Sequence, residues 1–310
     1  MFTDNNTFGS QTPLLDPIKE TRQHAELQSL TFDCTAGPFL PVTPNLLGEL
    51  GDVQPWHGNI ESWQWVVEQL QNCPGRFAKT AENVFIHRSM YCLQSPPAIR
   101  AAFKICTASQ MVTPATKAMF TSSLEDEVNA LLNDPRMKDL SEGLARLQAM
   151  VLYQILRFCF GDLKQKIAAE QQKGVTNAWA LQLLQQMHTD LADSRTLEHL
   201  RLAESVRRTV TITFLFHALD SVFKYGVCTE LPTLALIPIG IDSEIWDSSD
   251  VLCAVSAEGN LGTMKYGEWT SMWVACSPRP KLDAFQRMLM VACKGKAKVL
   301  ELEAQQTSTT

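Results

Sequence analysis

Residues 202–226, LAESVRRTVTITFLFHALDSVFKYG, hold the groups in this chain whose types and spacing best suit chemistry. On a helix, Thr209, Thr213, His217, Asp220 and Lys224 fall on one narrow line. His217 and Asp220, three residues apart, could form an acid and base pair or hold a ligand. Around them the helix is apolar, with Val206, Val210, Phe214, Ala218 and Val222 on one side and Ile212, Leu215, Phe216, Leu219 and Phe223 filling the rest. Such a helix belongs at the centre of a bundle, where its polar line must find hydrogen-bond partners. The favoured role is structural: one polar pair satisfies another inside the core, and only a cavity would make the line a binding site.

Arg207 and Arg208 stand where this line begins. Glu204 precedes them by three and four residues, so a local Glu to Arg pair worth about 0.2–0.5 kcal/mol is the plain explanation of their charge. The sharper one places their guanidinium groups at the end of a core helix, gripping a carboxylate from another helix through paired hydrogen bonds. Arg207, Arg208, His217 and Asp220 are therefore the candidate ligand-binding or regulatory residues.

Other constellations point away from catalysis. His87 next to Arg88 in FIHRSMY could be a base beside a cation, yet Phe85, Ile86 and Met90 around it predict a packed core histidine. Cys159 lies between Phe158 and Phe160 with no adjacent basic residue to lower its pKa, which predicts an inert thiol. The nine cysteines include no CxxC pair, which suits a reducing compartment and removes the commonest zinc sites. No Gly-rich phosphate loop, GxSxG elbow, HExxH or nucleotide fingerprint occurs. Lys294, Lys296 and Lys298 read as a solvated helix end rather than an import signal. A net charge of −6 repels a phosphate backbone rather than attracting it. The chain is expected to be a non-enzyme with no catalytic residue, metal or cofactor.

The elements that must position these residues are helical. With 45% hydrophobic and 19% charged residues over 310 positions, the chain can bury a large core. No apolar run is long enough to span a bilayer, and the N-terminus lacks the pattern of a secretory signal. Residues 1–51, rich in Thr, Asn, Gln, Pro and Asp, read as a mobile arm, and 52–310 as a helical domain. Trp63, Val66, Val67 and Leu70 repeat at helical steps, with Cys73, Pro74 and Gly75 expected to end that helix. Ser95 before Pro96 and Pro97 predicts a capped helix with Ile99, Phe103 and Cys106 on one side, and Thr113 before Pro114 predicts another reaching toward Leu132. Asp139 or Ser141 opens the clearest amphipathic helix, which Gly161 stops. Two more helices follow, parted by Gly174 with Asn177 as cap. The opening stretch comes next, then an extended apolar loop around Pro232, Pro238 and Gly240. Helical periods around Trp269 and from Leu282 to Cys293 close the chain. The fold class is all-α, a multi-helix domain with a mobile N-terminal arm.

Several segments carry a family resemblance in order along the chain. They are W-x-W-x-x-x-x-L at Trp63, Trp65 and Leu70; FIHRSMY from Phe85 to Tyr91; ARLQAMVLYQILRFCFGD from Ala145 to Asp162; AESVRRT from Ala203 to Thr209; and LP, a second proline and IW between Leu231 and Trp246. Together they cover roughly residues 60–275 and resemble the regulatory region, or fungal-specific transcription factor domain, of fungal regulators of the zinc binuclear cluster type. The resemblance implies a helical regulatory domain of a nuclear transcription regulator, often one that controls a secondary-metabolite biosynthetic gene cluster. It also implies other transcription regulators or a second copy as partners and allows a small-molecule effector; the lack of a long apolar run predicts no membrane association. The family's DNA-reading module has six cysteines in CxxC-containing halves and a basic linker. Before Trp63 this chain has Cys34 alone, so the zinc cluster is expected to be lost or encoded upstream, and direct DNA contact is in doubt. The alternative is a DNA-independent co-regulator or a metabolite-binding helical module.

Overall fold

Helical periodicity becomes helix along most of the described chain. The computed structural model of the protein describes residues 60–92, 95–133, 139–191, 196–241, 246 and 262–307. The stretch 1–51, read above as an arm, lies outside the described residues. Helix α1, Ile60–Thr80, buries Trp63, Val66, Leu70, Cys73 and Phe77. Contrary to expectation, it does not end at Cys73-Pro74-Gly75. A proline costs a helix interior about 3 kcal/mol. Here Pro74 is itself buried and the two added turns carry Phe77 into the core, a burial that contributes about 1.5–3 kcal/mol.

Helix α2 runs Pro97–Ser109. The cap expected from Ser95 is not there; Pro96 is the capping residue and makes no side-chain bond. Ile99 and Cys106 are buried as expected, but Phe103 stays partly exposed. Helix α3 begins at Lys117 rather than beside Thr113 and ends at Asn133. Thr113 and Thr116 instead exchange amide and hydroxyl bonds across the preceding turn. Helix α4, Leu140–Phe160, follows the expected boundaries: Asp139 accepts from the Glu142 amide at 2.8 Å, and Gly161 closes the helix. Its buried run is nearly continuous from Gly143 to Arg157, so it is a core helix more than an amphipathic one.

Helices α5, Leu163–Gln171, and α6, Lys173–Asp190, are parted by Gln172 alone. Gln172 keeps near-helical dihedrals (φ −87°, ψ −5°), so Gly174 and Asn177 lie inside α6 and the cap expected of Asn177 does not form. Helix α7, Leu197–Tyr225, is the long central helix. Thr196 caps it, and Gly226 ends it at φ 70°, a left-handed conformation that glycine adopts without steric cost. Helix α7 packs against α1, α4 and α6. It is buried from Ala203 to Val222 apart from Arg207 and Asp220, which are half-buried. Phe223, expected to fill the apolar surround, emerges with Lys224 and Tyr225 at the exposed end.

Beyond α7, the apolar stretch expected as a loop forms a short helix α8, Leu231–Leu234, and strand β1, Pro238–Gly240. Strand β1 pairs antiparallel with β2, Thr263–Lys265, placing Ile239 opposite Met264, and it packs against α7. Helix α9, Tyr266–Ala275, buries Trp269 and Trp273; α10, Ala284–Lys294, follows. Helix α11, Lys296–Thr307, was not foreseen. Lys296 and Lys298 therefore start a helix instead of trailing from one. The Lys296 amide donates to Ser62 Oγ of α1 at 2.8 Å, and Val299 and Leu302 are buried. The fold is all-α apart from the two short strands among the described residues, and no described helix is long and apolar enough to cross a membrane.

Candidate functional site

The N-terminal half of α7 presents a buried charge cluster. Arg208 is 1% exposed. Its Nε donates to Glu204 Oε1 at 2.8 Å, one turn earlier on the same helix, and its Nη2 donates to Asp283 Oδ2 at 2.5 Å. Its Nη1 reaches the Val84 carbonyl at 3.4 Å. The Arg208 Cζ lies 4.1 Å from the Trp246 ring centroid and 4.8 Å from that of Phe285. A guanidinium is planar and weakly hydrated, so it can leave water when its edges meet carboxylates and its faces meet rings. Arg208 thus makes the local Glu204 bond and also reaches a carboxylate from another element, through one hydrogen bond to Asp283 rather than the expected pair. Arg207 makes the local bond only, Nε to Glu204 Oε2 at 3.1 Å.

The carboxylates are positioned by local structure. Asp283 caps α10: its Oδ1 accepts from the Gln286 amide at 2.7 Å, and the Gln286 side chain accepts from the Asp283 amide, which completes a capping box. The second carboxylate oxygen is then free for Arg208. Glu204 is pressed against β1, where a Cβ on Gly240 would stand 2.4 Å from Glu204 Oε2. Only glycine lets the strand approach that closely.

Beside this cluster, α7 fastens the FIHRSMY segment. Gln148 of α4 places its Nε2, with two hydrogens to share, 3.0 Å from the Phe85 carbonyl and 3.1 and 3.2 Å from Ser205 Oγ and Thr209 Oγ1, while its Oε1 accepts from Tyr91 at 2.6 Å. Thr209 and Thr213 also return their hydroxyls to the carbonyls four residues back. His87 is half-buried, not a core residue. It caps the 3-10 turn Arg88–Tyr91, accepting from the Ser89 amide at 3.2 Å, and its ring meets Trp246 edge-on at 5.1 Å. The residue is drawn out of the core by that capping bond. Burial lowers its pKa, and Arg201 lowers it further.

Further along α7 the polar line divides. His217 Nδ1 contacts Asn177 Oδ1 of α6 at 2.7 Å. An amide oxygen can only accept, so Nδ1 carries the proton and Nε2, which is buried without a partner among the described residues, is left as an acceptor. Burial, helped by the nearby Lys173, brings the His217 pKa down to about 3. Asp220 does not join it: it turns outward to Lys224 at 2.9 Å, which also meets Glu170 at 2.8 Å. The expected His217–Asp220 pair is therefore not formed, because Asp220 finds a cation one turn on and keeps its water.

The four candidate residues thus occupy three settings: Arg207 and Arg208 in the charge cluster, His217 alone against α6, Asp220 at the surface. Sequence reasoning missed Asp283, Gln148 and Asn177. The D-x-x-Q pattern at Asp283 was readable as a capping box. Nothing in the pattern links it to an arginine 75 residues earlier. Burial pushes the Cys159 thiol up to about 11, in keeping with an unreactive side chain. Among the described residues, no group of three or more His, Cys, Asp or Glu side chains converges as a metal would require.

The segments that carry the resemblance meet here: AESVRRT supplies Glu204, Ser205 and Arg208, FIHRSMY the Phe85 carbonyl and His87, and the later IW pair Trp246. The chain is similar to the transcription factor gsfR2 of Penicillium aethiopicum, with 26% identity over 181 residues, which is 54% of this chain and 44% of that protein. The match therefore spans less than half of the relative's own length. No protein-family profile matches the chain, and no solved structure does.

Proposed function

We propose that the chain is the helical regulatory body of a nuclear transcription regulator, acting through other regulators or a second copy of itself rather than through catalysis, and governing a secondary-metabolite gene cluster. The observation that carries this reading is the similarity over 181 residues to a protein named as a transcription factor in a fungus. The convergence of AESVRRT, FIHRSMY and Trp246 on one buried cluster supports it, since it gives these segments a joint structural reason to occur together. A second reading, a co-regulator that never touches DNA, is favoured by the net charge of −6.

Transcript profiling after deletion of the gene tests the regulatory reading. The expected result is a changed block of neighbouring biosynthetic genes, restored by reintroducing the gene; an unchanged profile under conditions where the protein is made would reject it. Chromatin recovery of the tagged protein at those promoters separates the two readings, because a co-regulator's recovery is lost when its DNA-binding partner is removed.

A further inference from the structure

A groove of about 530 Å³ opens between the end of α1, the 3-10 turn Arg88–Tyr91 and the start of α2. Its floor is apolar: Phe77 and Ile99 are buried, and Phe103 stands edge-on to Phe77 with the ring centroids 5.7 Å apart, 38% exposed. Tyr91 also faces the groove, but its hydroxyl is spent on Gln148. Three cations edge this floor: Arg88, Arg100 and Lys104, all exposed, with no Asp or Glu among the lining residues. Arg100 is held by the Ser95 carbonyl. Arg88 and Lys104 form no ion pair among the described residues.

We propose that this groove binds a small organic acid with an aromatic or alicyclic body and one carboxylate or similarly acidic group. The volume lies within the roughly 300–1,000 Å³ of small-molecule sites, where an apolar wall supplies burial and a few polar groups fix orientation. The apolar body lies on Phe77, Ile99 and Phe103, while the acid meets Arg88 and Lys104. Guanidinium groups suit a planar carboxylate because they can offer two parallel N–H donors. A long polyanion is disfavoured, since the floor offers it no donors and the chain's net charge of −6 repels it. This inference gives a regulator an effector class, but it is tested on the purified protein, so failure of ligand binding and failure of transcriptional control are read separately.

The probe is 1-anilinonaphthalene-8-sulfonate, an aromatic anion, against N-phenyl-1-naphthylamine, which has the same rings without the acid. Fluorescence titration of the full chain should show the anion binding at least tenfold more tightly. Arg88→Ala with Lys104→Ala should remove that preference and leave the melting temperature and neutral-probe affinity unchanged; Lys104→Glu gives an independent check with the same expected sign. Cys92, exposed on the groove wall, locates the probe: the anion should slow its alkylation by iodoacetamide, read on the peptide by mass spectrometry. Equal binding of both probes, an unaltered preference in the variants or unchanged Cys92 alkylation would each overturn the proposal. 2-Naphthoate should displace the probe. Displacement by a Glu-rich octapeptide but not by 2-naphthoate would assign the groove to a protein partner and overturn it too.

Discussion

A guanidinium withdrawn from water needs an acceptor for each group of N–H donors it carries, and Arg208 finds Glu204, Asp283 and the Val84 carbonyl. Replacing it with alanine leaves Asp283 Oδ2 without its cation and Glu204 with Arg207 alone, so Arg208→Ala should cost about 3–5 kcal/mol in urea unfolding. Arg207 holds only one side of Glu204 and is less buried, so Arg207→Ala should cost about 1 kcal/mol or less. Equal effects would mean that Asp283 contributes nothing to the cluster. His217 yields a pH dependence. Its pKa falls from about 6.5 unfolded to about 3 folded, so the unfolded chain binds the proton more readily. Stability is then fully present above pH 6.5 and is lost as pH falls toward 3. Between pH 7.5 and 5.5 the wild type should lose about 1.4 kcal/mol more than His217→Gln, measured by denaturant melts at both values. Both arginines and His217 were legible as candidates, because each interrupts an apolar helix. Their partners were not, since Asp283 and Asn177 look like ordinary capping residues in sequence, and only for Asp283 is that role real.

At the scale of elements, legibility followed local completeness. Helix α4 has an N-cap aspartate, a sustained apolar period and a glycine stop, and its boundaries were read correctly. Helix α7 has a cap, an apolar body and Gly226. Helix α1 defeated the reading because the breaking signal at Pro74 is local, whereas the burial of Phe77 that overrides it is tertiary. Helix α11 was missed because, among its described side chains, Val299 and Leu302 alone are buried, and its docking on Ser62 involves a residue 234 positions away. One residue at the end of α1 carries a testable strain. Ala81 has φ 57°, with its amide bonded back to the Phe77 carbonyl at 2.9 Å. A left-handed alanine costs roughly 1–2 kcal/mol, and the entropy of a glycine returns part of that. Ala81→Gly should therefore raise stability by about 0.5–1 kcal/mol in thermal melts; a lowered melting temperature would show that the alanine methyl packs favourably there.

For the whole molecule, helical class and a central apolar helix follow from periodicity, because a helix apolar on all sides has no other place to go. The meeting of distant segments does not follow: Arg208 joins residues from α10, from the 83–91 stretch and from Trp246, an arrangement that chain order does not encode. The groove was likewise invisible, since its cations come from a turn and a helix read separately. Charge, by contrast, is a property of the full sequence and makes a prediction of its own. A chain with net charge −6 repels a phosphate backbone, and the cations of α7 are engaged: Arg208 is buried, Arg207 is tied to Glu204, and Lys224 is tied to Glu170 and Asp220, while the exposed Arg88, Arg100 and Lys104 edge one apolar groove rather than a long stripe. Fluorescence anisotropy with labelled duplexes should show binding no tighter than the non-specific range, on the order of 10⁻⁴ to 10⁻⁶ M at physiological salt, weakening as salt rises and indifferent to sequence. Submicromolar, sequence-selective binding that survives added salt would require a continuous basic reading surface, and would overturn the proposal that this chain works through partners rather than by reading DNA directly.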